Sequence, residues 1–231
     1  MPYHILIAED DEDIVELLRI YLENAGYTIY AANNGEDAYR IFLTEKLDML
    51  ILDIMMPRMN GYELTKKIRE TSNIPILILS AKNEDMDKIT GLNLGADDYM
   101  VKPFNPLEII ARAQSGLRRY YKLGSGREND AKVISSGGLT LDTDRMTLTR
   151  DGAPISLTAT EFRLLSIFMR SPGQVFTKAQ LYEKINGEYF ENDDSTMMVH
   201  ISNLRDKIEK DSKDPRYIKT VRGVGYKFEK L

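Results

Sequence analysis

Four apolar residues, Met49-Leu50-Ile51-Leu52, run without a break into the carboxylate of Asp53. So short a run with no polar alternation predicts a strand buried on both faces, as in a parallel sheet. Similar runs predict strands over Ile5–Ala8, Tyr27–Ala31, Met49–Asp53, Ile76–Leu79 and Asp98–Val101. Amphipathic stretches lie between and after them, at about residues 12–25, 35–45, 60–71, 85–94 and 106–120. In the first, Ile14, Leu17, Leu18, Tyr21 and Leu22 form one stripe at helical spacing, and Ala25-Gly26 offers a glycine C-cap. Five β-α units in a row predict an α/β fold, a doubly wound, flavodoxin-like parallel sheet of order 2-1-3-4-5.

The pattern then changes. Residues 121–132 are glycine-rich and polar, with Gly124-Ser125-Gly126 at their centre, and read as a flexible linker. The expected domains are therefore residues 1–120 and 133–231. Over Leu139–Leu148 apolar and polar positions alternate, with Asp142-Thr143-Asp144 as a turn, and Asp151-Gly152 is a hairpin signal. A small antiparallel sheet is expected there. Thr158 and Glu161 form a capping box for a helix that buries Phe162, Leu165 and Phe168. A second helix starts near Thr177. A third runs from about Asp194 to Lys210, with Met197, Ile201, Leu204 and Ile208 as its apolar stripe. Tyr217–Val221 and Tyr226–Phe228 flank Arg222-Gly223-Val224-Gly225, a hairpin with a basic tip.

Charge divides the chain in the same place. Residues 1–121 hold 13 Lys+Arg against 20 Asp+Glu, whereas residues 132–231 hold 16 against 14. An acidic first half and a mildly basic second half suggest different partners. There are no cysteines, which excludes a disulfide frame or thiolate metal site. The N-terminus has neither a charged n-region nor a long apolar h-region, and no apolar run reaches the roughly 20 residues of a membrane helix. A cytoplasmic protein with no membrane partner is expected.

The candidate chemistry sits at strand ends. Ile5-Leu6-Ile7-Ala8 runs into Glu9-Asp10-Asp11 much as the third strand runs into Asp53. In the expected strand order these two strands are neighbours, at the switch point where open α/β sheets bind ligands. Carboxylates so close remain ionised only with a cation among them, and hard oxygens suit Mg²⁺ (or Mn²⁺). Ser80 and Lys102 follow the fourth and fifth strands and would reach the same edge. Acids, a hydroxyl and an ammonium together can bind a metal and a phosphoryl group, with Asp53 as the acceptor. Taken singly these residues have plainer readings. The acids suit a helix N-terminus, Ser80 a turn cap, and Tyr99 a half-buried sheet position.

Residues 3–120 resemble the response-regulator receiver domain of two-component signalling. The resemblance rests on Ile5-Leu6-Ile7-Ala8-Glu9-Asp10-Asp11, Leu50-Ile51-Leu52-Asp53-Ile54-Met55-Met56-Pro57, Asn60-Gly61, Ser80-Ala81, and Gly95-Ala96-Asp97-Asp98-Tyr99 followed by Val101-Lys102-Pro103-Phe104. It implies that Asp53 takes a phosphoryl group from a sensor histidine kinase. Glu9, Asp10, Asp53 and the Met55 backbone carbonyl would hold Mg²⁺, with Asp11 peripheral. Ser80 and Lys102 would contact the phosphoryl oxygens, and Tyr99 would swing inward as Ser80 moves. Lys88, Asp97, Asp98, Glu108, Arg112 and Arg119 would pair across a symmetric dimer once the protein is phosphorylated.

Residues 133–231 resemble the winged-helix effector domain of the OmpR/PhoB subfamily. The carrying pieces are Leu157-Thr158-Ala159-Thr160-Glu161-Phe162-Arg163-Leu164-Leu165, Val199-His200-Ile201 with Leu204-Arg205 and Lys207, and Ile218–Tyr226. Glu188-Tyr189-Phe190 and the spacing throughout are similar to the vancomycin-resistance-type regulators. The third helix would enter the major groove of promoter DNA, at tandem half-sites, and the hairpin would reach the minor groove. His200 and Arg205 would face DNA or its phosphates, Lys219 and Thr220 would touch its backbone, and Arg222 would lie in or over the minor groove. Thr196, Ser202 and Asn203 are candidates for base-edge or phosphate contact. RNA polymerase would be a further partner. Many relatives have Arg at one or both of positions 202 and 203, an acidic residue or Thr at 198, and Trp at 186. This chain has Ser, Asn, Met and Asn there, which predicts a modest phosphate contribution and a different sequence preference. Two rivals stand beside this reading. A haloacid-dehalogenase-like phosphatase would need a second Asp where Met55 stands, and a receiver could instead carry a protein-binding output.

Overall fold

The structure, a computed structural model, describes residues 2–81, 85–122, 132–186 and 194–231. The chain divides into two compact units, Met1–Leu117 and Arg118–Leu231.

The first unit alternates strand and helix: β1 (His4–Ala8), α1 (Glu12–Asn24), β2 (Thr28–Ala32), α2 (Gly35–Thr44), β3 (Met49–Asp53), α3 (Gly61–Arg69), β4 (Ile76–Ser80), α4 (Asp85–Asn93), β5 (Asp98–Val101) and α5 (Pro106–Lys122), the helix in which the boundary at Leu117 falls. The strands form one parallel sheet of order β2-β1-β3-β4-β5, as the sequence predicts. Every residue of β3 and β4 is buried, which is why their sequences show no alternation. Asp11 is the N-cap of α1 and accepts from the Asp13 and Ile14 backbone N–H groups, so its carboxylate is committed to the helix start. Helix α5 continues through Tyr121 and Lys122, two residues that sequence composition assigns to the linker. The first helix breaker after Arg119 is Gly124, so nothing in the sequence stops the helix sooner. The remaining linker residues 123–131, and Glu188-Tyr189-Phe190, lie outside the described residues.

The second unit contains β6 (Val133–Ser136), β7 (Leu139–Asp142), β8 (Thr147–Arg150), β9 (Ala153–Ile155), α6 (Ala159–Arg170), β10 (Val175–Phe176), α7 (Lys178–Asn186), α8 (Asp194–Ile208), β11 (Ile218–Val221) and β12 (Gly225–Phe228). Strands β6–β9 make an antiparallel sheet, and β10-β12-β11 make a second one. The capping box of α6 is present, with Thr158 and Glu161 exchanging side-chain and backbone bonds. Phe162, Leu165 and Phe168 are buried together with Met197, Ile201, Leu204 and Ile208 of α8. The two-residue strand β10 is too short to leave a pattern in the sequence; it exists because β12 offers it a partner.

Among the described residues no helix is long and apolar enough to cross a membrane.

Candidate metal centre and nucleic-acid interface

Strands β1 and β3 are paired from Ile5–Met49 to Ala8–Leu52, so Glu9 and Asp53 leave the sheet side by side. Ligand oxygens of Glu9, Asp10 and Asp53 lie within 4.8 Å of one another. Glu9 and Asp53 are buried and Asp10 is exposed, which leaves the cluster open on one side. Close approach of α3 shapes the same edge. A Cβ on Gly61 would stand 2.2 Å from the Asp53 carbonyl oxygen, so only glycine lets the helix begin there.

Lys102 follows β5 and bridges the acids. Its Nζ donates to Glu9 Oε2 at 2.6 Å and stands 3.4 Å from Asp53 Oδ1. Burial pushes the Glu9 carboxyl above its ordinary range; the Lys102 hydrogen bond pulls it down and the Asp53 charge pushes it up again. Asp53 Oδ1 is buried and has no hydrogen-bond partner. A buried carboxylate oxygen without a donor is costly, and this one faces two more acids. The donor set therefore fits a hard divalent cation: carboxylate oxygens, one solvent-open side and an unsatisfied buried oxygen. Ser80 ends β4 fully buried, and its hydroxyl is hydrogen-bonded to that of Tyr99. The Tyr99 ring is already inside, 4% exposed, and burial raises its pKa. Met55 projects its side chain to solvent at 59% exposure.

One measurement checks the cation. At equal ionic strength, Mg²⁺ at a hundred times its Kd is expected to stabilise the first unit by about 2.7 kcal/mol through mass action. The gain should be seen as a shift of its denaturant midpoint and should be largely lost in Glu9→Gln. Equal midpoints with Mg²⁺ and with NaCl would remove the cation from this edge.

The charged residues expected to form a dimer face are largely engaged within the chain. Asp97 pairs with Arg69 at 2.8 Å, and Asp98 pairs with Arg112 at 2.7 Å. Arg112 also holds Glu108 at 2.6 Å, and Arg119 is buried. Lys88 and Glu108 retain partial exposure. Sequence spacing could not reveal Arg69 as a partner, because it reaches across from the far end of α3.

Within the winged-helix unit several side chains expected at DNA are engaged by the protein itself, Arg205 among them. Arg205 is half-buried. Its Nε and Nη2 donate to the Ile218 carbonyl at 3.0 and 2.7 Å, and Nη2 also donates to Thr220 Oγ1 at 2.9 Å. Its guanidinium carbon lies 5.5 Å from the Tyr226 ring centre. The residue expected on DNA thus fastens α8 to the β11–β12 hairpin. His200 and Thr196 are 3% and 1% exposed and are enclosed by the helix packing. Lys207 is also occupied, bonded at 2.6 Å to the buried Glu161. Ser202, Thr220 and Arg222 are exposed, and Asn203 and Lys219 are half-buried. Glu209, which the sequence did not single out, accepts from the backbone N–H groups of Arg216, Tyr217 and Ile218 and sets where β11 begins.

Comparison with known proteins agrees with both halves. Residues 5–114 match the response regulator receiver domain family, and residues 152–228 match the family described as transcriptional regulatory protein, C terminal. Response regulator GtcR of Aneurinibacillus migulanus is 47% identical over 231 residues, covering 99% of this chain and 96% of its own. Regulatory protein VanR of Enterococcus faecium is 41% identical over 231 residues, covering 100% of both. Among solved structures, DrrB, a Thermotoga maritima OmpR/PhoB homolog, shares 30% identity at a TM-score of 0.52, over 99% of this chain and 100% of that one.

Proposed function

The chain belongs to the response regulators of the OmpR/PhoB type, which join a receiver domain to a DNA-binding transcription-regulatory domain, and on that premise we propose that Asp53 is its phosphoacceptor. The observation that carries this is the buried Asp53 Oδ1, without a hydrogen-bond donor, 3.4 Å from Lys102 Nζ at the carboxyl edge of the sheet. An Asp53 oxygen attacks the phosphorus of a phosphohistidine on a sensor histidine kinase. The P–N bond breaks, its electron pair stays on the imidazole nitrogen, which takes a proton from water, and an acyl phosphate remains. Mg²⁺ held by Glu9, Asp10, Asp53 and the Met55 carbonyl would offset the charge gathered at this edge. Lys102 and the Ser80 hydroxyl are placed to hold phosphoryl oxygens. Ser80 would exchange its bond to Tyr99 for one to the phosphoryl group, which couples the site to β5.

That change would bias a pairing face on residues 86–120. Asp97, Asp98 and Arg112 form buried intrachain pairs and Arg119 is buried, so we read these four as its scaffold and Lys88 and Glu108 as the residues nearest its contact surface. Pairing two copies raises the effective concentration of two winged helices at tandem half-sites of a promoter, where they would meet RNA polymerase.

The test uses the full chain with a small phosphodonor and Mg²⁺. The labelled protein is expected to sediment as a dimer, to bind promoter duplex more tightly than the unlabelled protein, and to protect a repeated site. With Arg205 and Lys207 engaged internally, the salt dependence should be shallow, and Arg222→Ala should lower its log–log slope by about 0.9, the share of a single neutralised phosphate. A labelled protein that stays monomeric and gains no affinity would sink the proposal.

A further inference from the structure

Resting on the DNA-binding reading, we infer that Met198 is a sequence-reading residue of α8 and takes the C5-methyl group of thymine in the major groove. The apolar residues of this helix are otherwise inside. Met197 and Ile201 are 1% exposed, Leu204 and Ile208 are 0%, and Val199 is 8%. Met198 is 49% exposed. It shares a face with Ser202, one turn on, which is also exposed. The cations that could have dominated this helix are engaged elsewhere: Arg205 on the hairpin and Lys207 on Glu161. His200 is buried.

Over its middle turns, between the half-exposed Ser195 and the exposed carboxylate of Asp206, α8 offers a groove a thioether, a hydroxyl and the half-buried Asn203 amide. Its single guanidinium, that of Arg205, is turned to the hairpin and not outward to read guanine. The base feature that an apolar side chain reads in the major groove is the thymine methyl. A flexible thioether adapts to that methyl without demanding one rotamer. The Lys178 ammonium, on α7, lies 4.0 Å from the Met198 sulfur. It sets beside the side chain a positive charge that suits a phosphate next to the same base.

The experiment selects binding sites for the full, phosphodonor-treated chain from a randomised duplex library. The recovered sites are then resynthesised with deoxyuridine in place of single thymines. Wild type is expected to weaken about fourfold for the thymine whose methyl meets Met198, the equilibrium weight of one buried methylene. Met198→Ala should bind thymine and uracil forms of that site alike, while Met198→Leu should keep the preference. Both variants alter an exposed side chain, and unchanged circular dichroism and denaturant midpoint would certify their folds. Wild type that binds the selected sites with no loss at any uracil substitution overturns the inference and leaves the DNA-binding reading standing. Wild type that enriches no duplex at all overturns both.

Discussion

Asp53→Asn is expected to abolish stable covalent labelling by a small phosphodonor, with no residual label at Glu9 or Asp10. With it should go the gain in DNA affinity and the shift to dimer. The amide keeps the shape of the carboxylate, so loss of label reports the missing nucleophile rather than a collapsed site. The fold itself should not suffer. In Mg²⁺-free buffer Asp53 brings a third charge to a cluster in which Glu9 is already forced above its ordinary pKa range, and one of its oxygens is buried without a donor. Removing that charge abolishes the Lys102–Asp53 ion pair but leaves Lys102 bonded to Glu9. A gain of about 1 kcal/mol in denaturant unfolding is expected, the usual sign where a site trades stability for function. Label retained by Asp53→Asn would place the acceptor on another residue. Label absent from wild type in the presence of Mg²⁺ would make this edge a relic.

The largest stability effect is expected at the opposite edge of the sheet. Arg69 is only 10% exposed, and its guanidinium holds four groups. Nε donates to the Gly95 carbonyl at 2.8 Å, Nη1 to the Ser72 and Ile74 carbonyls at 3.2 and 2.7 Å, and Nη2 to Asp97 Oδ2 at 2.8 Å. The same Asp97 oxygen accepts from the Ile76 backbone N–H at 3.0 Å. One side chain thus ties the end of α3 to the starts of β4 and β5. Arg69→Met keeps much of the aliphatic stem and takes the guanidinium away from the buried Asp97 carboxylate. The cost should be about 3–5 kcal/mol, the range for breaking one half of a buried pair. The denaturant midpoint of the first unit measures it. Arg69→Met combined with Asp97→Asn should cost less than the two single changes added together, because each removes the same pair. A loss under 1 kcal/mol, the range of an exposed ion pair, would show that water reaches the pair.

These two residues also show what the sequence carries and what it does not. Asp53 was legible because its context is local: a run of buried strand residues stops at a carboxylate, and strand order then places it beside Glu9 and Asp10. Periodicity likewise gives α1 and the Thr158–Glu161 cap. The partners of Asp97, Asp98 and Arg205 depend on elements distant in the chain, so spacing cannot supply them. Asp97 and Arg112 read as surface charges in the sequence because both are charged, yet burial with a partner is as stable a solution as exposure. Arg205 follows the family's pattern, but its direction is set by the Ile218 carbonyl, which only folding brings within reach. The ring of Tyr99 is a related case: the sequence anticipates a movement inward, and the structure already has it there.

The Arg205 bridge bears on how such a protein could change its target. The helix and hairpin are held at a fixed offset by the bonds of Arg205 to the Ile218 carbonyl and the Thr220 hydroxyl. Positions 198, 202 and 203 lie on the same helix but outside that bridge. If α8 reads bases as proposed, substitutions at those three positions would change the preferred operator while the offset between helix and hairpin stays constant. A chimera that imported a foreign helix without Arg205 would inherit letters but lose the ruler that spaces them.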